Sequence, residues 1–232
     1  MSDILEVRDV VKTFRRPGSN AVEKPLDGVS FTVGDGEIVG LMGKSGEGKS
    51  TIARILCGTL KPTEGNASFG GEILFDGLNY DRNVGFGIQI IPQQPFSALD
   101  PKQRLADAVI EPLLCHKLVR SKQEAMETTR QLFADVLLDE ELYRRLPSQI
   151  SGGQAQRAVI ARTLAVNPRL LIADEATSML DMSSQVQVIE ILRSLVKTKG
   201  ISILVISHDP ELVTSICDRS YILSGGVLDE MK

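Results

Sequence analysis

The sequence predicts an α/β fold with a helical subdomain inserted into it, and three observations carry that expectation. The apolar run Ile38-Val39-Gly40-Leu41-Met42 leads straight into Gly43-Lys44-Ser45-Gly46-Glu47-Gly48-Lys49-Ser50, and a helical pattern through Ile52, Ile55 and Leu56 comes next. A second apolar run, Leu170-Leu171-Ile172-Ala173, ends in the acids Asp174 and Glu175. Between these strands, from about residue 105 to 146, the apolar spacing becomes helical.

Taken in order, the chain opens with the alternating strand Ile4-Leu5-Glu6-Val7-Arg8-Asp9-Val10 and a loop of turn formers, Arg15-Arg16-Pro17-Gly18-Ser19-Asn20. Strands are expected around residues 28–33 and 37–42, with Gly34-Asp35-Gly36 as the turn between them. A run as short and apolar as 38–42 is of the kind buried on both faces of a sheet. The helix after the glycine loop should end near Gly58. The inserted segment reads as helices around 105–110 and 131–137, divided by Pro112 and by Arg120-Ser121. After Glu175 come a helix through Val186, Ile189 and Leu192, a strand at 201–206, a last strand near Tyr221-Ile222-Leu223 and the turn Ser224-Gly225-Gly226. One domain is expected over 1–232, with its core at about 1–92 and 155–232 and the helical subdomain at about 93–154.

The 232 residues suffice for one full core, and 42% hydrophobic content is that of an ordinary globular chain. No apolar run approaches the roughly 18 residues that span a bilayer. Met1-Ser2-Asp3-Ile4-Leu5-Glu6 lacks the basic start and apolar centre of a signal peptide. The expected location is therefore cytoplasmic unless a partner holds the chain at a membrane. A net charge of −4, with Lys and Arg scattered, argues against a nucleic-acid partner. Cys57, Cys115 and Cys217 lie far apart and only two histidines are present, so no metal-ligand spacing arises and the thiols are expected to be free and packed as small apolar residues.

The glycine-rich loop has the spacing of a phosphate-binding P-loop, and it stands between strand and helix as that motif requires. Gly43, Gly46 and Gly48 allow a tight wrap, in which consecutive N–H groups and a helix N-terminus converge on an anion. Lys44, Ser45, Glu47 and Thr51 complete the loop, Lys49 should bridge the β- and γ-phosphates of a nucleotide, and the Ser50 hydroxyl should ligate Mg²⁺. Charges ending an apolar strand are costly unless an ion or ligand receives them. Asp174 suits Mg²⁺, and Glu175 suits a general base acting on an attacking water, although an acid pair capping a helix at Ala176-Thr177-Ser178 would read the same way. Ser151-Gly152-Gly153-Gln154 opens a further helix as a second anion clamp.

With these residues in view, the whole chain resembles the ATP-binding subunits of ABC transporters. The resemblance implies a P-loop NTPase core of the RecA-like kind, with an N-terminal antiparallel β subdomain and an inserted α-helical subdomain. Ile150-Ser151-Gly152-Gly153-Gln154 is similar to the family's signature loop, which contacts the γ-phosphate held by the other subunit's P-loop. Gln93, after Ile88-Gln89-Ile90-Ile91-Pro92, matches the glutamine that touches Mg²⁺ or the attacking water; Gln94 stands beside it. Ser178-Met179-Leu180-Asp181 resembles the D-loop, whose Asp181 would cross the dimer interface. His208 resembles the switch histidine that reads the γ-phosphate, and Phe14 the aromatic that stacks on adenine, with a core Phe ending the first strand as the alternative.

The run Gln93-Gln94-Pro95-Phe96-Ser97-Ala98-Leu99-Asp100-Pro101 is similar to one found in importer ATPases for dipeptides, oligopeptides and nickel, with Gln94 and Asp100 where Asp and Asn are usual. ATP and Mg²⁺ are the implied cofactors. The implied partners are membrane permease subunits, a second ATPase subunit and, indirectly, an extracytoplasmic solute-binding protein, which would place the chain peripherally on the inner face of the cell membrane. An exporter ATPase is the rival within transporters. Non-transport relatives carry a long coiled coil between P-loop and signature, and no sustained heptad pattern occurs here.

Overall fold

The computed structural model of the protein describes residues 2–15 and 22–231. The expected loop at 15–20 lies, apart from Arg15, outside the described residues. In chain order the strands are β1 (Asp3–Arg15), β2 (Val22–Gly34), β3 (Ile38–Met42), β4 (Glu64–Phe69), β5 (Glu72–Asp76), β6 (Asn79–Tyr80), β7 (Ile88–Ile91), β8 (Leu170–Asp174), β9 (Ser202–Ser207), β10 (Arg219–Ser224) and β11 (Val227–Met231). The helices are α1 (Lys49–Leu56), α2 (Arg82–Gly85), α3 (Leu105–Cys115), α4 (Lys122–Asp135), α5 (Gly152–Leu164), α6 (Met182–Lys199) and α7 (Pro210–Ile216). The chain divides into two compact units, one of residues 1–90, 169–174 and 200–232, the other of 91–168 and 175–199.

The first unit holds two sheets. One is antiparallel, in the order β2-β1-β4-β5-β6, and the other runs β11-β10-β3-β9-β8-β7. In β2 the buried Val29, Phe31 and Val33 alternate with Ser30 and Thr32, so only one face of that strand is apolar. β3 and β9 are buried at every position and β8 at its first four, as strands covered on both faces must be. Leu5, Leu26, Leu41, Ile55, Leu74, Phe75, Leu170 and Leu204 pack into one core.

The second unit is helical. Leu105 and Val109 on α3, Leu132 and Phe133 on α4 and Val159 and Ile160 on α5 are buried, and Phe133 meets Tyr143 edge-on with ring centres 4.6 Å apart. Pro112 does not divide α3 as expected, because it falls in the last turn, where one missing N–H interrupts little. The break comes at Lys117, whose φ of 55° lets Leu118 N–H close back on Leu113 O at 2.9 Å.

The structure departs from the expectations at three further points. α6 forms and Leu192 is buried as expected, yet Val186 is 49% exposed and Ile189 only half-buried, the rest of the buried stripe being Val188, Ile191 and Leu195. β4, β5, β6 and β11 are absent from the sequence expectation: β4 and β6 are short and mostly polar, β5 is only the apolar Ile73-Leu74-Phe75 between two acids, and β11 is largely exposed. The three cysteines are free, but Cys115 is exposed rather than packed. Burial pushes the Cys57 thiol up to about 12, aided by the charge of Asp174. No helix of the described residues is long and apolar enough to cross a membrane.

Candidate functional site

In the first unit the parallel register sets up the site. Met42 pairs with Ser207 across β3 and β9, and Asp174 pairs with Ile206 across β8 and β9. The three strands therefore end level. The loop from Gly43, Asp174 itself and His208 all emerge at one carboxyl edge, where open α/β sheets bind ligands.

The loop from Gly43 to Ser50 is wrapped tightly. Gly43 and Gly48 have φ of 154° and 107°, and a Cβ would lie 2.6 Å from Leu223 O at the first and 2.8 Å from Pro25 O at the second. Only glycine fits either place. Lys49 is 5% exposed, and its Nζ donates to Gly43 O at 2.7 Å and Lys44 O at 2.9 Å. A buried ammonium is thus held inside the wrap by the loop's own carbonyls. Glu47 turns back on the loop, its Oε2 accepting from Lys44 N–H at 2.8 Å. Ser45 and Gly46 lie in the turn between, and Thr51 N–H donates to Gly48 O at 2.9 Å as α1 begins.

Ser50 Oγ donates to Asp174 Oδ1 at 3.2 Å. A hydroxyl and one carboxylate are hard oxygen donors that fit Mg²⁺, an ion that keeps several waters and draws other ligands from phosphate. Among the described residues no group of three or more His, Cys, Asp or Glu is placed to hold a metal ion. His208 is exposed beyond buried Ser207, and the segment is fixed by Asp209, whose N–H donates to Ser207 Oγ at 3.0 Å and whose carboxylate caps α7. Phe14, near the end of β1, is 39% exposed, with Lys12 Nζ 5.0 Å from its ring centre, so it is not a core residue.

The second unit brings together the remaining candidates. Gln93 Nε2 donates to Glu175 Oε2 at 2.9 Å and reaches Ser178 Oγ at 3.3 Å. Ser178 Oγ in turn donates to Glu175 O at 3.0 Å. Glu175 has a φ of 49°, a left-handed conformation costing on the order of 1–3 kcal/mol for a residue with a side chain. Gln94 does a different job: its carbonyl accepts from Ser97 N–H and Oγ in a local turn.

Ser151 caps α5. Its Oγ accepts from Gln154 N–H at 3.2 Å, while Gln154 Oε1 accepts from Ser151 N–H at 3.0 Å. This reciprocal capping box occupies the Gln154 side chain on its own helix and leaves the Gly152 and Gly153 N–H groups at the first turn. The Ser-x-x-Gln spacing is the sequence signal for such a box. A Cβ on Gly153 would collide with Ser184 Oγ, so the start of α5 lies directly against the first turn of α6.

Ser184 N–H donates to Asp181 Oδ1 at 3.0 Å and its Oγ to Asp181 Oδ2 at 2.7 Å, while Ser183 Oγ donates to Oδ1 at 2.6 Å. The hydrogen bond from Ser183, then those from Ser184, hold the Asp181 carboxyl well below the usual range. Within this chain the aspartate caps α6. Ser178 is the residue of this cluster that the sequence alone does not single out as a partner of Gln93 and Glu175. A separate cleft of about 530 Å³ in the same unit is lined by Arg104, Asp107, Met126, Arg130, Tyr143 and Arg144 among others.

Residues 26–178 match the family described as ABC transporter. The oligopeptide transport ATP-binding protein OppF of Bacillus subtilis is 38% identical over 230 residues, covering 98% of this chain and 75% of that protein. The nickel import ATP-binding protein NikE of Escherichia coli is 39% identical over 215 residues, 92% of this chain and 80% of its own length. Among solved structures, the dimeric post-hydrolysis state of an ATP-binding cassette bound to ADP and Pi superposes with a TM-score of 0.85 at 28% identity, covering 98% of both chains.

Proposed function

Because this chain belongs to the ABC transporter family, as one of its ATP-binding and ATP-hydrolysing subunits, we propose that it energises the import of a small solute such as a peptide or a nickel or other metal chelate. The 38% and 39% identity to the oligopeptide transport and nickel import ATP-binding proteins, over 98% and 92% of this chain, is the observation that supports this reading most. The level ends of β3, β8 and β9, which bring the glycine loop, Asp174 and His208 to one edge, support its nucleotide site. The loop N–H groups from Gly43 to Thr51 and Lys49 hold the phosphates, Lys49 exchanging its loop carbonyls for phosphate oxygens. Ser50 and Asp174 would hold Mg²⁺, with Gln93 as the further ligand that the family resemblance implies, and the ion would neutralise charge on the phosphates. Glu175 takes the proton of the attacking water, oriented by Gln93, and His208 contacts the γ-phosphate. Phe14 offers its exposed ring to adenine.

Head-to-tail pairing with a second ATPase subunit supplies the other half of each site. Ser151, Gly152 and Gly153 of one subunit face the γ-phosphate held by the other, while Gln154 and Asp181 keep α5 and α6 in shape for that encounter. The helical subdomain, residues 93–154, passes the motion to a cytoplasmic helix of a permease subunit. The chain thus works at the inner face of the membrane without crossing it. Purification of the intact complex with identification of its other subunits tests the reading. Recovery with permease and solute-binding subunits of a peptide or nickel importer is expected; recovery with nucleic acid or an exporter permease would overturn it.

A further inference from the structure

The helix that the signature loop opens also grips both ends of the Gln93 loop. Gln156 on α5 is fully buried, and its Nε2 donates to Pro92 O at 3.4 Å. Arg162, further along the same helix, donates from Nη1 to Ala98 O at 2.7 Å. The two side chains are six residues apart, about 9 Å along the helix axis. They take two carbonyls that are also six residues apart and that bracket Gln93. Within the bracket the loop makes its own turn, Ser97 N–H and Oγ both donating to Gln94 O. Gln93 is the residue left to reach out of it, to Glu175 Oε2 and Ser178 Oγ.

We infer that Gln156 and Arg162 are positioning residues for ATP hydrolysis: they clamp the 92–98 segment onto α5, so that the signature helix and the Gln93 side chain move as one piece. Neither residue touches nucleotide. Each acts through the backbone of the loop, which fixes where the Gln93 amide can stand relative to Glu175. A carbonyl that loses its donor here loses it in a partly buried place where water is a poor substitute. The consequence is mechanical as well as chemical. A displacement of α5, whether imposed at its signature end or through the helical unit, is delivered to Gln93 by two hydrogen bonds at defined points. This inference rests on the reading of Gln93 as a residue of the hydrolytic site.

The test uses the full chain with three substitutions: Gln156→Met, near in shape but without a donor; Arg162→Met; and Arg162→Lys, which keeps one donor. Turnover, equilibrium ATP affinity and amide hydrogen exchange of residues 93–98 are measured for each. The expected result is a roughly tenfold fall in kcat for each Met variant, ATP affinity within about twofold of the parent, faster exchange confined to 93–98, and substantial recovery of kcat with Lys at 162. In a Gln93→Ala background, Gln156→Met should cost nothing further, because the clamp acts through Gln93.

Multiplicative losses in that background, ATP affinity falling in step with kcat, or unchanged exchange at 93–98 would each overturn the inference. Full turnover by Gln93→Ala alone would instead remove Gln93 from the hydrolytic site. The exchange measurement would then still decide whether the clamp exists.

Discussion

The two compact units position their functional residues by different means. In the first, backbone does the work: strand register levels β3, β8 and β9, and glycine geometry shapes the loop after β3. In the second, side chains do the holding, on one another and on backbone N–H groups. Gln93 reaches Glu175, Ser151 and Gln154 cap each other, and Asp181 is tied by Ser183 and Ser184. A backbone-built site is rigid and suits a fixed anion cradle. A site assembled from side-chain hydrogen bonds can be made and broken at about 1 kcal/mol each, which suits a part that must change state. The chain passes from one unit to the other between Asp174 and Glu175, so the acid proposed to hold the metal and the acid proposed to take the proton fall in different units.

The largest effect should come from the acid in the side-chain network. Glu175→Gln is expected to keep ATP affinity while turnover falls by at least about a hundredfold, the usual worth of a general base. Single-turnover hydrolysis together with nucleotide binding checks this; undiminished turnover would put the base elsewhere. Lys49→Ala strikes the backbone-built side and should weaken ATP binding at least about tenfold, measured by equilibrium titration. If Lys49→Ala instead left affinity intact and lowered only kcat, the division of labour between the units would be wrong.

Much of this division is legible in the sequence, and the reason is locality. A P-loop is eight consecutive residues whose glycines and lysine serve one continuous wrap, and Asp174-Glu175 ends a strand that announces itself by four apolar residues. The side-chain network is legible only where its members lie close in sequence. Ser151 and Gln154 are three apart, yet even there the glycines between them draw attention to an anion site and away from the capping box. Gln156 on Pro92 and Arg162 on Ala98 each join positions 64 residues apart, and no spacing rule reports such a bond. The phase of α6 is misleading in the sequence because Met179, Met182 and Val186 are exposed apolar residues near its start, which shifts the apparent stripe.

A smaller effect is expected at Asp181. Its carboxyl is held low in the folded chain, so its capping contributes stability that is present above the unfolded value of about 3.9 and is lost as pH falls through the folded value. Asp181→Ala should therefore lower the thermal midpoint at pH 7. The difference from the parent should shrink as pH is taken below about 4. A constant difference over that range would show that the carboxylate's charge is not what holds the start of α6.

The central claim is that one subunit's helical unit completes the phosphate cradle of its partner, and Ser151→Arg tests it most directly. Placed in one member of an ATPase pair, with hydrolysis followed separately at each P-loop, it should leave ATP binding at its own loop intact and abolish hydrolysis at its partner's. Survival of hydrolysis at the partner's loop, or loss of binding at its own, would contradict the account.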